Sequence, residues 1–216
     1  MSPQPSDIGR ATGFRLARDD QAPARGAGPA RGAGPALQRN RAFAAAGGHQ
    51  GAVVFPALGL FVVTCADPRV DPAHFLGLGL SDALVLRNAG GRITPEAIND
   101  IALIGQLAGT ALADGPLFEV AVIHHTQCGT GALADRAFRE RYAERIGAEP
   151  SSLAAHAVLD PAATVTHDVE RLRRARSLSP RITVSGHVYD VVSGRVETVV
   201  PTVPVVPGEL PHQAAR

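Results

Sequence analysis

The chain has 216 residues, of which 45% are hydrophobic, and its 21 basic residues nearly balance 20 acidic ones, for a net charge of +1. That length and apolar share suit one domain with a sizeable core, and the balance argues against a dedicated nucleic-acid binder. No apolar run approaches a membrane span, and the N-terminus lacks the apolar stretch of a signal peptide. The expected setting is therefore cytoplasmic and reducing, with no membrane partner. Both cysteines are then expected as free thiols or ligands rather than as a disulfide.

Residues 1–36 read as a flexible segment rich in Gly, Pro, Ala and Arg. "ARGAGP" occurs twice in succession, at Ala24–Pro29 and Ala30–Pro35, and such a repeat cannot bury a core. Leu37–Ala46 reads as a short helical arm, and residues 37–216 as a single domain. "LGLFVVTC", ending at Cys65, is a short β-branched run of the kind that forms a buried parallel strand. "ALVLRN", Ala83–Asn88, predicts a second strand. Thr94-Pro95-Glu96 then supplies an N-cap, a proline at the first helical position and an acid in the first turn, predicting a helix to about Ala113. "LFEVAVIHH", Leu117–His125, predicts a third strand.

Beyond it, Leu133, Ala137, Phe138, Tyr142 and Ile146 share roughly one helical face. Asp160-Pro161 opens another helix, with Val165, Val169 and Leu172 at helical spacing. "RITVSGHVYDVVSGRVETV" alternates and turns at Ser193-Gly194, as a hairpin does. The predicted fold is α/β: a mostly parallel central sheet flanked by helices, with a C-terminal β-hairpin as its antiparallel edge element.

In open parallel sheets, ligands bind beyond the carboxyl ends of the strands. Cys65 ends the first strand and His125 ends the third. His125 and Cys128 stand in an H-x-x-C spacing that lets one turn aim both side chains at a single ion. With Cys65 they form a Cys2His set, which suits zinc and leaves a fourth tetrahedral position open, as catalytic sites do. Asp67 and Arg69 follow Cys65 closely. Arginine offers the carboxylate a bidentate partner, which would keep Asp67 off the metal and free to orient a bound water.

Plainer readings exist for each residue. The cysteines suit inert core thiols, and the Asp/Arg pair an ordinary surface ion pair. His124, on the opposite strand face from His125, reads as a packed or hydrogen-bonded histidine.

"C-A-D-P-R" followed by "H-H-T-Q-C-G" resembles the C-x-D-x-R and H-x-x-C signature of the β-class carbonic anhydrases. "LVLRNAGGRIT" resembles that family's R-N-A-G segment, and "GHVYDVVSGRVETV" its G-x-x-Y-D-x-x-x-G hairpin. The likeness runs from about Leu37 to Val200. It implies a zinc enzyme that hydrates carbon dioxide to bicarbonate and a proton by attack of zinc-bound hydroxide, built as a homodimer or an assembly of dimers. It carries Cys65, His125 and Cys128 onto the zinc ligands, one Zn2+ per chain, and Asp67 and Arg69 onto the catalytic dyad. Two thiolates cancel the formal charge of the ion, so activity is expected to rise on the alkaline side of neutrality.

Two positions depart from the family pattern. Gln127 stands where the double-His branch often has an acid, and Pro68 where serine is common; neither is a ligand. Carbon disulfide and carbonyl sulfide hydrolases resemble the same scaffold and offer an alternative substrate class. A catalytically silent zinc-binding homologue is the third reading.

Overall fold

The structure is a computed structural model that describes residues 32–206; residues 1–31, with most of the ARGAGP repeat, lie outside the described residues. Helix α1 (Ala33–Ala45) begins at Ala33 rather than at Leu37, and none of its residues is buried. Strands β1 (Leu60–Cys65), β2 (Ala83–Asn88), β3 (Glu119–His125), β4 (Thr183–Tyr189) and β5 (Val196–Pro204) form one sheet in the order β2-β1-β3-β4-β5. The first four are mutually parallel and β5 returns antiparallel to β4, which is the predicted architecture. β1 and β3 occupy the middle, which is why their sequences are continuous apolar runs without alternation. β5 closes the edge and carries Pro201 and Pro204, residues that sheets tolerate only at such positions.

The helices start where side chains satisfy their first amides. The Thr94 hydroxyl accepts from the Ala97 N–H ahead of α3 (Pro95–Ala111). The Asp160 carboxylate accepts from Ala162 and Ala163 ahead of α6 (Pro161–Arg173). Both caps were legible as an acceptor followed by proline. Asp135 caps α4 (Arg136–Ile146) in the same way. Two short helices, α2 (Pro72–Phe75) and α5 (Pro150–Ala154), and the 3-10 turns Ala89–Gly91 and Gly129–Ala134 are too brief to leave a periodicity in the sequence. Among the described residues, no helix is long and apolar enough to cross a membrane.

The main core lies on one face of the sheet. Phe61, Val63, Val120, Val122 and Val184 pack there beneath Ile101, Val165, Val169 and Leu172. Each such side chain removed from water contributes about 1.5–3 kcal/mol. Helix α6 approaches β4 closely because position 186 is glycine; a Cβ there would lie 3.0 Å from Val169 Cγ2. On the other face a smaller cluster of Val62, Ala121 and Ile123 meets Phe75 and Tyr189. Those two rings stack with centroids 4.5 Å apart.

A buried polar network crosses the main core. Arg92 grips Asp168 of α6 through Nε (2.7 Å) and Nη2 (3.0 Å), and the Ile93 N–H donates to the same carboxylate at 3.1 Å. His124 is fully buried. Its Nε2 faces Gly91 O at 3.2 Å and Asp168 Oδ2 at 3.4 Å, and its Nδ1 lies 2.9 Å from Thr164 Oγ1. It is thus the packed, hydrogen-bonded histidine that strand alternation suggests. Burial opposes ionisation of Asp168, but hydrogen bonds from His124 and Arg92 outweigh it and hold the carboxyl well below the ordinary carboxylate range.

The network fastens α6 to the end of β3 and to the loop after β2. Removing one partner leaves a buried charge uncompensated, so Asp168→Ala is expected to lose about 3–5 kcal/mol in urea denaturation. Asp168→Asn, which keeps an acceptor oxygen, should lose less. Because the folded-state carboxyl is held below its unfolded value, its contribution is complete above the ordinary carboxylate range. It is lost only as pH falls beneath that range.

Candidate metal centre

β1 and β3 pair in parallel with Thr64 level with Ile123, so both strands deliver their last residues to the same edge of the sheet. After His125 the chain turns through Thr126 and Gln127, whose backbone is left-handed (φ 57°), and brings Cys128 back towards Cys65. The two Sγ atoms are 4.0 Å apart, and the ligating atoms of Cys65, His125 and Cys128 all lie within 4.8 Å of one another. All three residues are buried. Val158 packs in one buried cluster with the two cysteines and adds an apolar side to the site.

The donor atoms are prepared for a cation. His125 Nδ1 donates to Thr126 O at 2.9 Å, which leaves the lone pair on Nε2. That Nε2 is buried and has no hydrogen-bond partner. An unsatisfied buried polar atom costs about 1–3 kcal/mol, and an ion held against both sulfurs would satisfy it. A hydrogen bond from Cys128 overcomes burial and holds the Cys65 thiol well below its usual range, with the Asp67 N–H, 3.4 Å from Sγ, acting in the same sense. Cys128 moves in the opposite direction, chiefly through that same hydrogen bond and then through burial. Of the two sulfurs, Cys65 is therefore the readier to ionise. Two sulfurs and an imidazole are soft and borderline donors that fit zinc.

Asp67 stands beside this cluster with its carboxylate turned to Arg69. Arg69 donates through Nε to Oδ1 (3.0 Å) and through Nη2 to Oδ2 (2.7 Å), and the Arg69 N–H adds a third bond to Oδ1 at 2.9 Å. The side-chain bond from Arg69 is the main reason the Asp67 carboxyl sits below its ordinary range. Arg69 is anchored in turn by the Gln127 carbonyl, which accepts from Nη2 at 3.0 Å. The residue next to Cys128 thus also fixes the arginine. Outside the pair lies an open cavity of about 340 Å3 lined by Pro68, Arg69, Asp71, His74, Phe75 and Tyr189.

All five residues singled out in the sequence come together. Several others support them, and among these the doubled glycine of "RNAGGR" already suggests a tight turn and close backbone approach in the sequence. Gly91 (φ +66°) passes so close to β1 that a Cβ would lie 2.9 Å from Cys65 N and Thr64 C. Asn88 closes that loop, accepting from Arg92 N at 2.8 Å and donating to Arg92 O at 2.7 Å. Thr130 Oγ1 lies 3.2 Å from Cys128 Sγ. Gln127 and Thr130 carry no such mark in the sequence.

The family model for carbonic anhydrase matches residues 60–149. A crystal structure of carbonic anhydrase from Streptococcus mutans superposes with a TM-score of 0.64 at 30% identity, covering 79% of this chain and 99% of that one. Beta-carbonic anhydrase 1 of Mycobacterium tuberculosis is 27% identical over 146 residues, which is 68% of this chain and 85% of the relative. A carbon disulfide hydrolase of Saccharolobus solfataricus is 40% identical over 70 residues, 32% of this chain and 31% of that protein.

The arrangement of the two sulfurs predicts an asymmetric titration. In metal-free protein, thiolate ultraviolet absorbance should show a first ionisation well below the ordinary thiol range of about 8.5 and a second well above it. Cys128→Ala removes the donor and should move the Cys65 ionisation upward.

Proposed function

Because the chain belongs to the β-carbonic anhydrase family, we propose that it catalyses the reversible hydration of carbon dioxide to bicarbonate and a proton at a zinc ion held by Cys65, His125 and Cys128. The observation that carries this reading is the unpartnered Nε2 of His125, gathered with two cysteine sulfurs inside 4.8 Å and flanked by an arginine-held carboxylate. When bound, zinc supplies Lewis-acid activation of water towards an electrophilic carbon.

The chain's own residues do the rest. Asp67 is kept ionised, so it offers only acceptor oxygens to a reacting water and fixes that water's orientation. Arg69 occupies both carboxylate oxygens from one side and keeps the group turned away from the ligand cluster. The Gln127 carbonyl keeps Arg69 in that pose. Val158 and the buried strand ends limit water around the sulfurs. Hydrolysis of carbon disulfide at the same centre is the second reading, favoured by the 40% identity over 70 residues to a protein with that activity.

Elemental analysis is expected to find one zinc per chain, with His125→Gln and Cys128→Ser each losing most of it. In stopped-flow assays the zinc-loaded protein should hydrate carbon dioxide with activity rising above neutrality. Asp67→Asn and Arg69→Ala should each lower kcat by about a hundredfold or more while retaining zinc. Wild-type protein no faster than these two variants would reject the reading. Faster turnover of carbon disulfide than of carbon dioxide would favour the second.

The assembly we propose is a homodimer. Helix α1 exposes Leu37 and Phe43, and among the described residues none of its side chains is buried; a 13-residue helix in water is marginal alone. A second copy, which exposes Leu103, Leu107 and Val85, is the cover we assign to it. Light scattering should give twice the chain mass, and removing residues 1–47 should shift the mass towards monomer.

A further inference from the structure

Beyond the cluster and the Asp67–Arg69 pair, one side chain reaches into the same loop from the edge strand. Arg87 of β2 donates through Nε to Cys65 O at 3.0 Å and through Nη2 to Asp67 O at 2.7 Å. Its Nη1 lies 4.0 Å from Asp71 Oδ2, the carboxylate that caps α2. The β1–β2 ladder makes its last backbone bond from Ala66 N to Asn88 O at 2.8 Å. Past that point, among the described residues, no strand runs alongside the loop on that side, and the guanidinium continues the ladder in side-chain form. Its planar fork can serve two carbonyls at once, which a lysine ammonium cannot match in geometry.

Every polar group of Asp67 is then committed. Its N–H points at Cys65 Sγ and its carboxylate is held by Arg69. Its carbonyl accepts from both Val70 N, at 2.9 Å, and Arg87. The two bonds to the carbonyl fix the peptide plane after Asp67. That plane and the φ of Asp67 decide where the carboxylate emerges relative to the sulfurs. The Arg87 side chain is partly exposed and sits on the sheet edge, so its removal opens no core cavity.

We propose that Arg87 is a positioning residue for Asp67: it clamps the carbonyls of Cys65 and Asp67, so that the carboxylate is presented in one orientation beside the ligand cluster. It acts through Asp67 and touches no reacting atom. Its consequence for turnover rests on the reading of Asp67 given above, whereas its consequence for the geometry of the Asp67–Arg69 pair does not.

The test uses zinc-loaded, full-length protein carrying Arg87→Met, Arg87→Lys or Arg87→Ala. The Arg69 Nε–H resonance reports the pair directly. It should be protected from exchange in the wild type, lose about tenfold or more of that protection in Arg87→Met, and lose less in Arg87→Lys. Zinc stoichiometry and the amide spectrum of β1, β3 and β4 should stay unchanged. Carbon dioxide hydration should fall in kcat by about tenfold or more with little change in KM, since displacement of a positioned group acts on the reacting state. Added guanidinium ion should restore part of the kcat of Arg87→Ala. Unchanged Arg69 Nε–H protection in Arg87→Met overturns the proposal, as does loss of zinc and of the core amide spectrum together, which marks a structural role. If the wild type hydrates no carbon dioxide while Arg69 protection still depends on Arg87, the functional reading fails and the positioning role stands.

Discussion

The parallel pairing of β1 with β3 is the constraint from which the rest of the site follows. With Thr64 opposite Ile123, the strands bring Cys65 and His125 out at the same edge. Side chains alternate along each strand, so a slip of one residue would send His125 to the face where His124 now sits. The two adjacent histidines make the register chemically decisive. One is stitched into the core by Asp168, Gly91 and Thr164, and the other is left with a bare nitrogen beside two cysteines. The buried network is therefore a registry device as well as a tie to α6, since only one histidine can satisfy it.

A division of labour among arginines follows from the same edge. The chain contains no lysine, and its guanidinium groups do geometric work. Arg69 holds a carboxylate with two parallel bonds, Arg92 does the same in the core, and Arg87 spans two carbonyls. Each of these sites uses the planar fork rather than charge alone. Asp67, at the partly open mouth of the site, sits below the ordinary carboxylate range chiefly through Arg69, and Asp168, deep in the core, through His124 together with Arg92.

The central strands, the capped helices and the hairpin were legible because each leaves a local mark. These marks are a continuous β-branched run, an acceptor followed by proline, and alternation broken at Ser193-Gly194. The five residues of the candidate site were legible because their spacing from strand ends is itself a geometric statement. Asp168, Arg92 and Thr164 were not, since they meet only after α6 folds back over the sheet, 76 residues separating Arg92 from Asp168. In the sequence, Gln127 is visible only as a departure from a pattern. Its contribution comes from a left-handed backbone that aims its carbonyl at Arg69, and side-chain identity does not announce such a conformation. Arg87 lay in plain view inside "LVLRNAGG", yet nothing in that string tells that its side chain turns along the sheet towards the neighbouring strand's end.

The prolines of β5 have a consequence for how far the sheet can extend. Pro201 and Pro204 carry no amide hydrogen, so a further strand laid along that border would meet gaps where donors belong. The border formed by β2 has no proline within its span. The molecule is thus blunt at one margin and open at the other, and stacking of sheets into an endless ribbon is blocked at its first repeat.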